Sequence, residues 1–259
     1  MDEGKADKKI AVLIDADNVS NKYIGYILNE VSNYGTPTYK RIYGDWTSSR
    51  MGSWKDVLLE RSVTPIQQYS YTIGKNATDS ALIIDAMDIL YSESVDGFCI
   101  VSSDSDFTRL ASRLREAGMM VIGMGEKKTP SAFRAACEKF KYLEVLASGG
   151  ENSEAEAVAP VQKEKNGAAP VKKAVPINKE KAQLIRTIRT IVSEISDEDG
   201  WAFLGELGNV LNRRLPDFDT RNYGAMKLTP LIESLDSFDV ESRKTGSSHV
   251  THKFIRNRG

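Results

Sequence analysis

Histidine and cysteine each occur only twice in the 259 residues. Two cysteines exclude a disulfide framework. Cys99 lies in an apolar run and Cys137 in a helical one, which predicts two buried thiols in a reducing compartment. His249 and His252 are too few to build a zinc site with them. Long apolar runs are missing too. No stretch approaches the ~20 residues that span a bilayer, and the opening MDEGKADKK lacks the apolar centre of a secretion signal. A cytoplasmic protein with no membrane contact is expected. An excess of either charge is also absent: 35 Lys/Arg stand against 36 Asp/Glu, so no global field marks a polyanion binder. The balance shifts slightly along the chain. Residues 1–149 carry 18 basic and 20 acidic side chains, and residues 170–259 carry 15 and 12. This suits an acidic cation site in front and polyanion contact behind.

The front half alternates strand and helix signals. IAVLI at 10–14 is almost wholly apolar, as in a parallel strand buried on both faces. A helix is predicted over 21–31, strands over 39–43 and 64–71, and a helix within 46–61. Helices over 80–91 and 107–117 and strands over 97–101 and 119–124 follow, and 131–146 reads as helical with one last strand. Repeated β-α alternation implies a parallel sheet with helices on both faces. Residues 8–147 therefore form one α/β domain. Residues 148–176, rich in Ala, Glu, Lys, Gly and Pro and devoid of aromatics, read as a flexible linker. Beyond it, helices are predicted over 179–194, 201–212 and 222–235, then a hairpin of FDVESR and HVTHKFI around TGSS. Three helices and a hairpin over 177–257 suggest a winged helix-turn-helix.

Acids stand where a parallel sheet places its ligands, beyond the carboxyl ends of its strands. The first strand runs into Asp15-Ala16-Asp17-Asn18, and FCIVSS runs into Asp104-Ser105-Asp106. Asp79 opens the helix whose apolar stripe is Leu82, Ile83, Ala86, Ile89 and Leu90. At 100° per residue it points within about 20° of Ala86, toward the protein. Asp85 and Asp88 fall off the stripe and are expected to face solvent. Clustered carboxylates repel and lose hydration, which a hard divalent cation offsets. Such an ion activates water and neutralises charge on a phosphoryl group. Asp17, Asp79 and Asp106 also suit helix N-caps. Asp15 and Asp104 directly follow strands, where no cap is yet needed. Asp15-x-Asp17 admits a second reading as the nucleophile and general acid of a haloacid-dehalogenase-type phosphatase, although no Ser/Thr motif follows the second strand. A third reading is an RNA-binding scaffold without turnover.

IAVLIDADNV, KNATDSALIIDAM and FCIVSSDSDFTRL together resemble the NYN family, a branch of the PIN-like ribonuclease superfamily, and above all its bacterial LabA-like members. The resemblance spans residues 8–146 and implies a three-layer α/β/α fold. Its first motif matches Asp15 and Asn18. Its second matches Lys75, Asp79, Leu82 and Asp85, and its third matches Ser102, Asp104, Ser105, Asp106 and Phe107. It implies that Asp15, Asp79, Asp104 and Asp106 hold Mg²⁺ or Mn²⁺ and carry catalysis. By the same resemblance Asn18 orients the first acid or touches substrate, and Lys75 and Ser102 serve the substrate. Ser103 stands where many relatives have Gly, with little consequence expected. Lys127 and Lys128 read better as solvated lysines than as phosphate contacts. Tyr43, Trp46, Tyr69 and Tyr71 are candidates for stacking bases, though sheet aromatics are more often core. A homodimer is expected by analogy with PIN-like domains.

GWAFLGELGNVLNRRLPDFDTRNYGAMKLTPLIESLDSFDVES resembles an OST-HTH (LOTUS) domain, with its Leu-Gly, Pro-x-Phe, Tyr-Gly and Lys-Leu pairs in place. That resemblance implies binding of RNA, single-stranded or G-rich and folded, and contact with protein partners in some members. Arg213, Arg214, Arg221, Lys227, Arg243, Lys244 and Lys253 are the expected RNA contacts, set against the reading that they only keep the surface soluble.

Overall fold

A run of residues with no polar side chain can stay in water only if both its faces are covered, and β1 (Lys9–Asp15) follows that rule. In the computed structural model, which describes residues 7–69, 77–154, 177–244 and 251–258, its side chains alternate between two cores. Ile10, Val12 and Ile14 join one cluster and Ala11 and Leu13 the other. Six strands form one sheet: β1, β2 (Thr36–Gly44), β3 (Thr64–Gln67), β4 (Gly97–Val101), β5 (Met120–Gly125) and β6 (Lys139–Tyr142). All pair in parallel, in the order β3-β2-β1-β4-β5-β6.

One face is covered by α1 (Ile24–Ser32), α2 (Gly52–Arg61) and α6 (Leu143–Glu154), through Ile27, Trp54 and Leu143. The other carries α3 (Ala77–Tyr91), α4 (Thr108–Glu116) and α5 (Ser131–Ala136), through Leu82, Leu114 and Phe133. This is the expected three-layer α/β/α arrangement. The chain builds outward from β1 to β3, then crosses back to place β4 on the other side of β1. That reversal between β1 and β4 opens a crevice at their carboxyl ends.

Several boundaries move from their expected places. The predicted 107–117 helix begins with a 3-10 turn, Ser105–Phe107, whose N-cap is Asp104. Asp104, not Asp106, is therefore the capping residue, because the turn starts two residues before the predicted helix. Asp79 lies inside the first turn of α3 rather than capping it. The 131–146 segment breaks at Cys137, where the backbone is extended, and gives α5, β6 and α6. β3 ends at Gln67, four residues short of the prediction, and Tyr71 and Lys75 lie outside the described residues. α6 runs on to Glu154, and the rest of the stretch read as a linker, residues 155–176, also lies outside them.

The chain divides into two units, Met1–Glu151 and Asn152–Gly259. The rear unit holds α7 (Ile177–Ile195), β7 (Ala202–Phe203), α8 (Leu204–Arg214), α9 (Leu228–Glu233), β8 (Phe238–Lys244) and β9 (Thr251–Asn257). Its core joins Ile188, Leu207, Leu231 and Ile255. The sheet is antiparallel in the order β7-β9-β8, which with three helices makes a winged-helix type of domain. The predicted 222–235 helix is split. Thr220–Tyr223 form a 3-10 turn that ends at Gly224, in the left-handed region at φ 81°, before α9 starts. The predicted 201–212 helix starts only at Leu204, since Ala202 and Phe203 pair with β9 instead.

Candidate functional site

At the carboxyl end of β1 the Asp15 side chain is fully buried. An ionised carboxylate there needs donors, and three are supplied. Asn18 Nδ2 donates at 2.7 Å, Ser102 Oγ at 2.8 Å and the Asp17 backbone N–H at 3.1 Å. Burial raises the Asp15 carboxyl above its ordinary range, and the bonds from Asn18, Ser102 and Asp17 oppose that rise. Ser102, the residue after β4, also accepts from the Asp104 N–H at 3.1 Å. One buried hydroxyl thus ties the ends of the two strands that flank the crevice.

Asp104 Oδ1 in turn accepts from the Asp106 N–H at 2.9 Å. This turn presents Asp104 half-buried and Asp106 exposed. α3 brings Asp79 alongside, and carboxylate oxygens of Asp79, Asp104 and Asp106 all lie within 4.8 Å of one another. Asp79 is half-buried, and its carboxyl is pushed up to about 6, first by burial and then by the charges of Asp15, Asp104, Asp106 and Asp17. Hard oxygen donors converge here under mutual repulsion. Such a group of carboxylates could hold a hard divalent cation. Asp15 is a neighbour of this trio. Its oxygens are engaged by Asn18, Ser102 and Asp17.

Other residues take places that sequence reasoning missed. Asp85 does not face solvent: Arg41 and Tyr43 of β2 both donate to its carboxylate. Tyr43 is fully buried, so it cannot stack a base, and it pairs in register with Asp15 across β1 and β2. This clamp fastens α3, and with it Asp79, to the strand beside Asp15. Only the alternation of β2, which turns Arg41 and Tyr43 to the same face as α3, could have signalled it. Asp17 caps no helix. Its side chain is exposed and accepts from Thr78 Oγ1 at 3.1 Å, joining the β1 loop to the start of α3. Ser103 is buried, and its Oγ accepts from the Glu126 N–H at 2.9 Å, which fixes the loop after β5. Trp46 donates its indole N–H to the Ile66 carbonyl, and Tyr69 is exposed. Lys127 is exposed, and Lys128 pairs with Glu126. The Cys99 and Cys137 thiols are free and buried, and burial pushes both up, so they are inert.

The basic residues expected to contact RNA are spread over α8, the 3-10 turn, the start of α9, β8 and β9. Arg214 pairs with Glu194, Arg221 with Asp219, Arg243 with Glu241 and Lys253 with Glu233. Arg213 and Lys227 are exposed, and the Lys244 side chain and His249 lie outside the described residues.

Residues 9–144 match the NYN domain and residues 176–250 the OST-HTH/LOTUS domain. An uncharacterized protein of Methanocaldococcus jannaschii is 26% identical over 125 residues, 47% of this chain, and the chain spans about half (49%) of that relative's length. A crystal structure of a protein of unknown function from Vibrio parahaemolyticus aligns with TM-score 0.44 at 18% identity, over 53% of this chain and 94% of that one. A solution NMR structure of an uncharacterized protein from Nitrosomonas europaea aligns with TM-score 0.27 at 31% identity, over 39% and 89%. The motifs that end β1, open α3 and follow β4 thus stand in a domain matched over more than half the sequence: the chain belongs to the NYN family, with its PIN-like, nuclease-type fold, and carries an OST-HTH/LOTUS domain behind it.

Proposed function

We propose that the front unit hydrolyses RNA phosphodiester bonds with the help of a divalent cation, and that the rear unit holds the RNA. The observation that carries this reading is the convergence of Asp79, Asp104 and Asp106 within 4.8 Å at the sheet's ligand-binding edge. Asp79, Asp104 and Asp106 would hold Mg²⁺ or Mn²⁺, with Asp15 completing the negative field from its buried position. When bound, such an ion supplies Lewis acidity toward a phosphoryl oxygen and a water of lowered pKa.

The chain's own residues supply the positioning. Asn18 and Ser102 fix the Asp15 carboxylate so that it cannot rotate away from the crevice. Ser102 also fixes the turn that carries Asp104 and Asp106. Asp79 has a proton affinity high enough for its charge to respond to its neighbours near neutral pH. RNA is the polymer favoured, on the OST-HTH/LOTUS domain. We place the activity in the cytoplasm, where the two free thiols stay reduced.

The test incubates the full chain with labelled single-stranded and folded RNAs in Mn²⁺, Mg²⁺ or EDTA, beside an Asp104→Asn variant. Cleavage that needs metal and is lost in the variant supports the proposal. RNA that is bound but uncut under every metal makes the protein an RNA-binding regulator instead.

A further inference from the structure

The rear sheet departs from the rule that an antiparallel sheet puts apolar residues inward and polar ones outward. Its inner face is ordinary: Ala202, Val240 and Ile255 share one register row and pack in the core. Its outer face carries Phe203, His252 and Phe254, with Trp201 just before β7. Phe203 is 40% exposed, and the other three are half-buried. Phe203 lies 5.9 Å from the Phe254 ring and 5.4 Å from the His252 ring, between centroids.

Two arginines of β8 and β9 interleave with these rings. The Arg243 guanidinium carbon lies 4.9 Å from the Trp201 ring and 4.8 Å from the Phe254 ring, and that of Arg256 lies 4.7 Å from Trp201. Each arginine meets a single carboxylate through one nitrogen, Glu241 at 3.3 Å and Asp239 at 3.2 Å. A guanidinium has five donors, so both keep capacity for further acceptors.

The face is seated by the backbone. A Cβ on Gly205 would come within 2.6 Å of the Phe203 ring. The first turn of α8 therefore carries a residue that disfavours helix, and that residue leaves room for the ring. Covering the core does not require this, because Ala202 and Leu204 already fill it from either side of Phe203.

We propose that this outer face binds single-stranded RNA, with unpaired bases stacked on Phe203 and Phe254 and phosphates met by Arg243 and Arg256. The excess of basic over acidic residues in 170–259 suits an anionic polymer. Aromatic faces beside guanidinium groups suit bases that are free to stack rather than a closed duplex. The proposal rests on the reading that the rear unit holds RNA, and it names the surface.

The experiment uses the full chain in EDTA, where no cleavage intervenes. Short labelled single-stranded RNA and a duplex of the same sequence are titrated by fluorescence anisotropy against wild type, Phe203→Ala and Arg243→Ala. Single strands should bind more tightly than duplex, and each variant should weaken them about tenfold or more while melting like wild type. Because Phe203→Ala could disturb the rear fold, wild-type protein is also photo-crosslinked to thiouridine-labelled RNA, with adducts expected in 201–203 and 251–257. RNA bound with crosslinks elsewhere and with unchanged variant affinities overturns the surface but leaves the RNA-holding reading intact. No binding of any RNA overturns both, whereas metal-dependent cleavage is read separately through Asp104→Asn.

Discussion

At the carboxyl ends of β1 and β4 four aspartates share one neighbourhood, and Asp79 is driven up to about 6. In the rear unit Asp239 sits between Arg258 and Arg256, whose hydrogen bonds hold it below the usual carboxylate range. The first arrangement concentrates like charge and makes the folded chain carry the repulsion. The second pairs several of its charges, as in Arg214–Glu194 and Arg221–Asp219. Paired charge at a surface does little beyond keeping a domain soluble. Like charge gathered in a crevice persists only where something else offsets it. That contrast is why we propose cation chemistry in front. Behind, it shifts attention from individual basic residues to the aromatic face they flank.

Replacing an acid of the front trio should break the contrast most. Asp79→Asn should lower metal-dependent RNA cleavage by roughly 100- to 1,000-fold and leave RNA affinity in EDTA unchanged. In the same variant the stabilisation by Mn²⁺ should vanish. For wild type a saturating ion adds about 2.7 kcal/mol at a concentration 100 times its Kd, readable as a rise in melting temperature.

A smaller effect should follow from Tyr43→Phe, which takes one of the two donors from Asp85. Losing a bond to a charged group in a half-buried place should cost about 1.5–3 kcal/mol, checked by urea unfolding of the front unit. Cleavage should fall with it, because α3 is then less firmly fastened beside Asp15, and the loss should be partial rather than complete.

The pH dependence without metal sharpens the point. Asp79 binds its proton more tightly folded than unfolded, so it contributes stability at low pH. That contribution should fade as pH rises from the ordinary carboxylate range through about 6 and be gone above it. Melting curves in EDTA should show this decline in wild type and less of it in Asp79→Asn. The smallest effect is expected behind: Arg214→Ala removes an exposed pairing with Glu194, and no measurable change in melting temperature should result.

Much of the front unit was legible because its strands are buried on both faces, which leaves near-continuous apolar runs such as IAVLI and FCIVSS. Acids at the ends of such runs stand out, and Asp15, Asp104 and Asp106 were visible for that reason. Capping was less legible. Whether Asp104 or Asp106 caps depends on a 3-10 turn that starts two residues earlier than the hydrophobic period suggests. Asp85 was misjudged because its partners, Arg41 and Tyr43, lie more than forty residues away in sequence. In the rear unit Trp201 and Phe203 read as the start of an amphipathic helix, yet Phe203 pairs with Phe254 across a sheet. A two-residue strand has no period to detect.

By itself the sequence determined the layered α/β class of the front unit, the helical and hairpin content of the rear one, and the three acid-bearing segments. These follow from local periodicity and from where apolar runs stop. Only the tertiary structure decided that Asp79, Asp104 and Asp106 meet while Asp15 is engaged by Asn18 and Ser102, that Asp85 clamps α3 to β2, and that aromatic rings gather on the outside of the rear sheet. The physical reason is common to all three. Each depends on strand order and register, and those are set by contacts between segments distant in the chain.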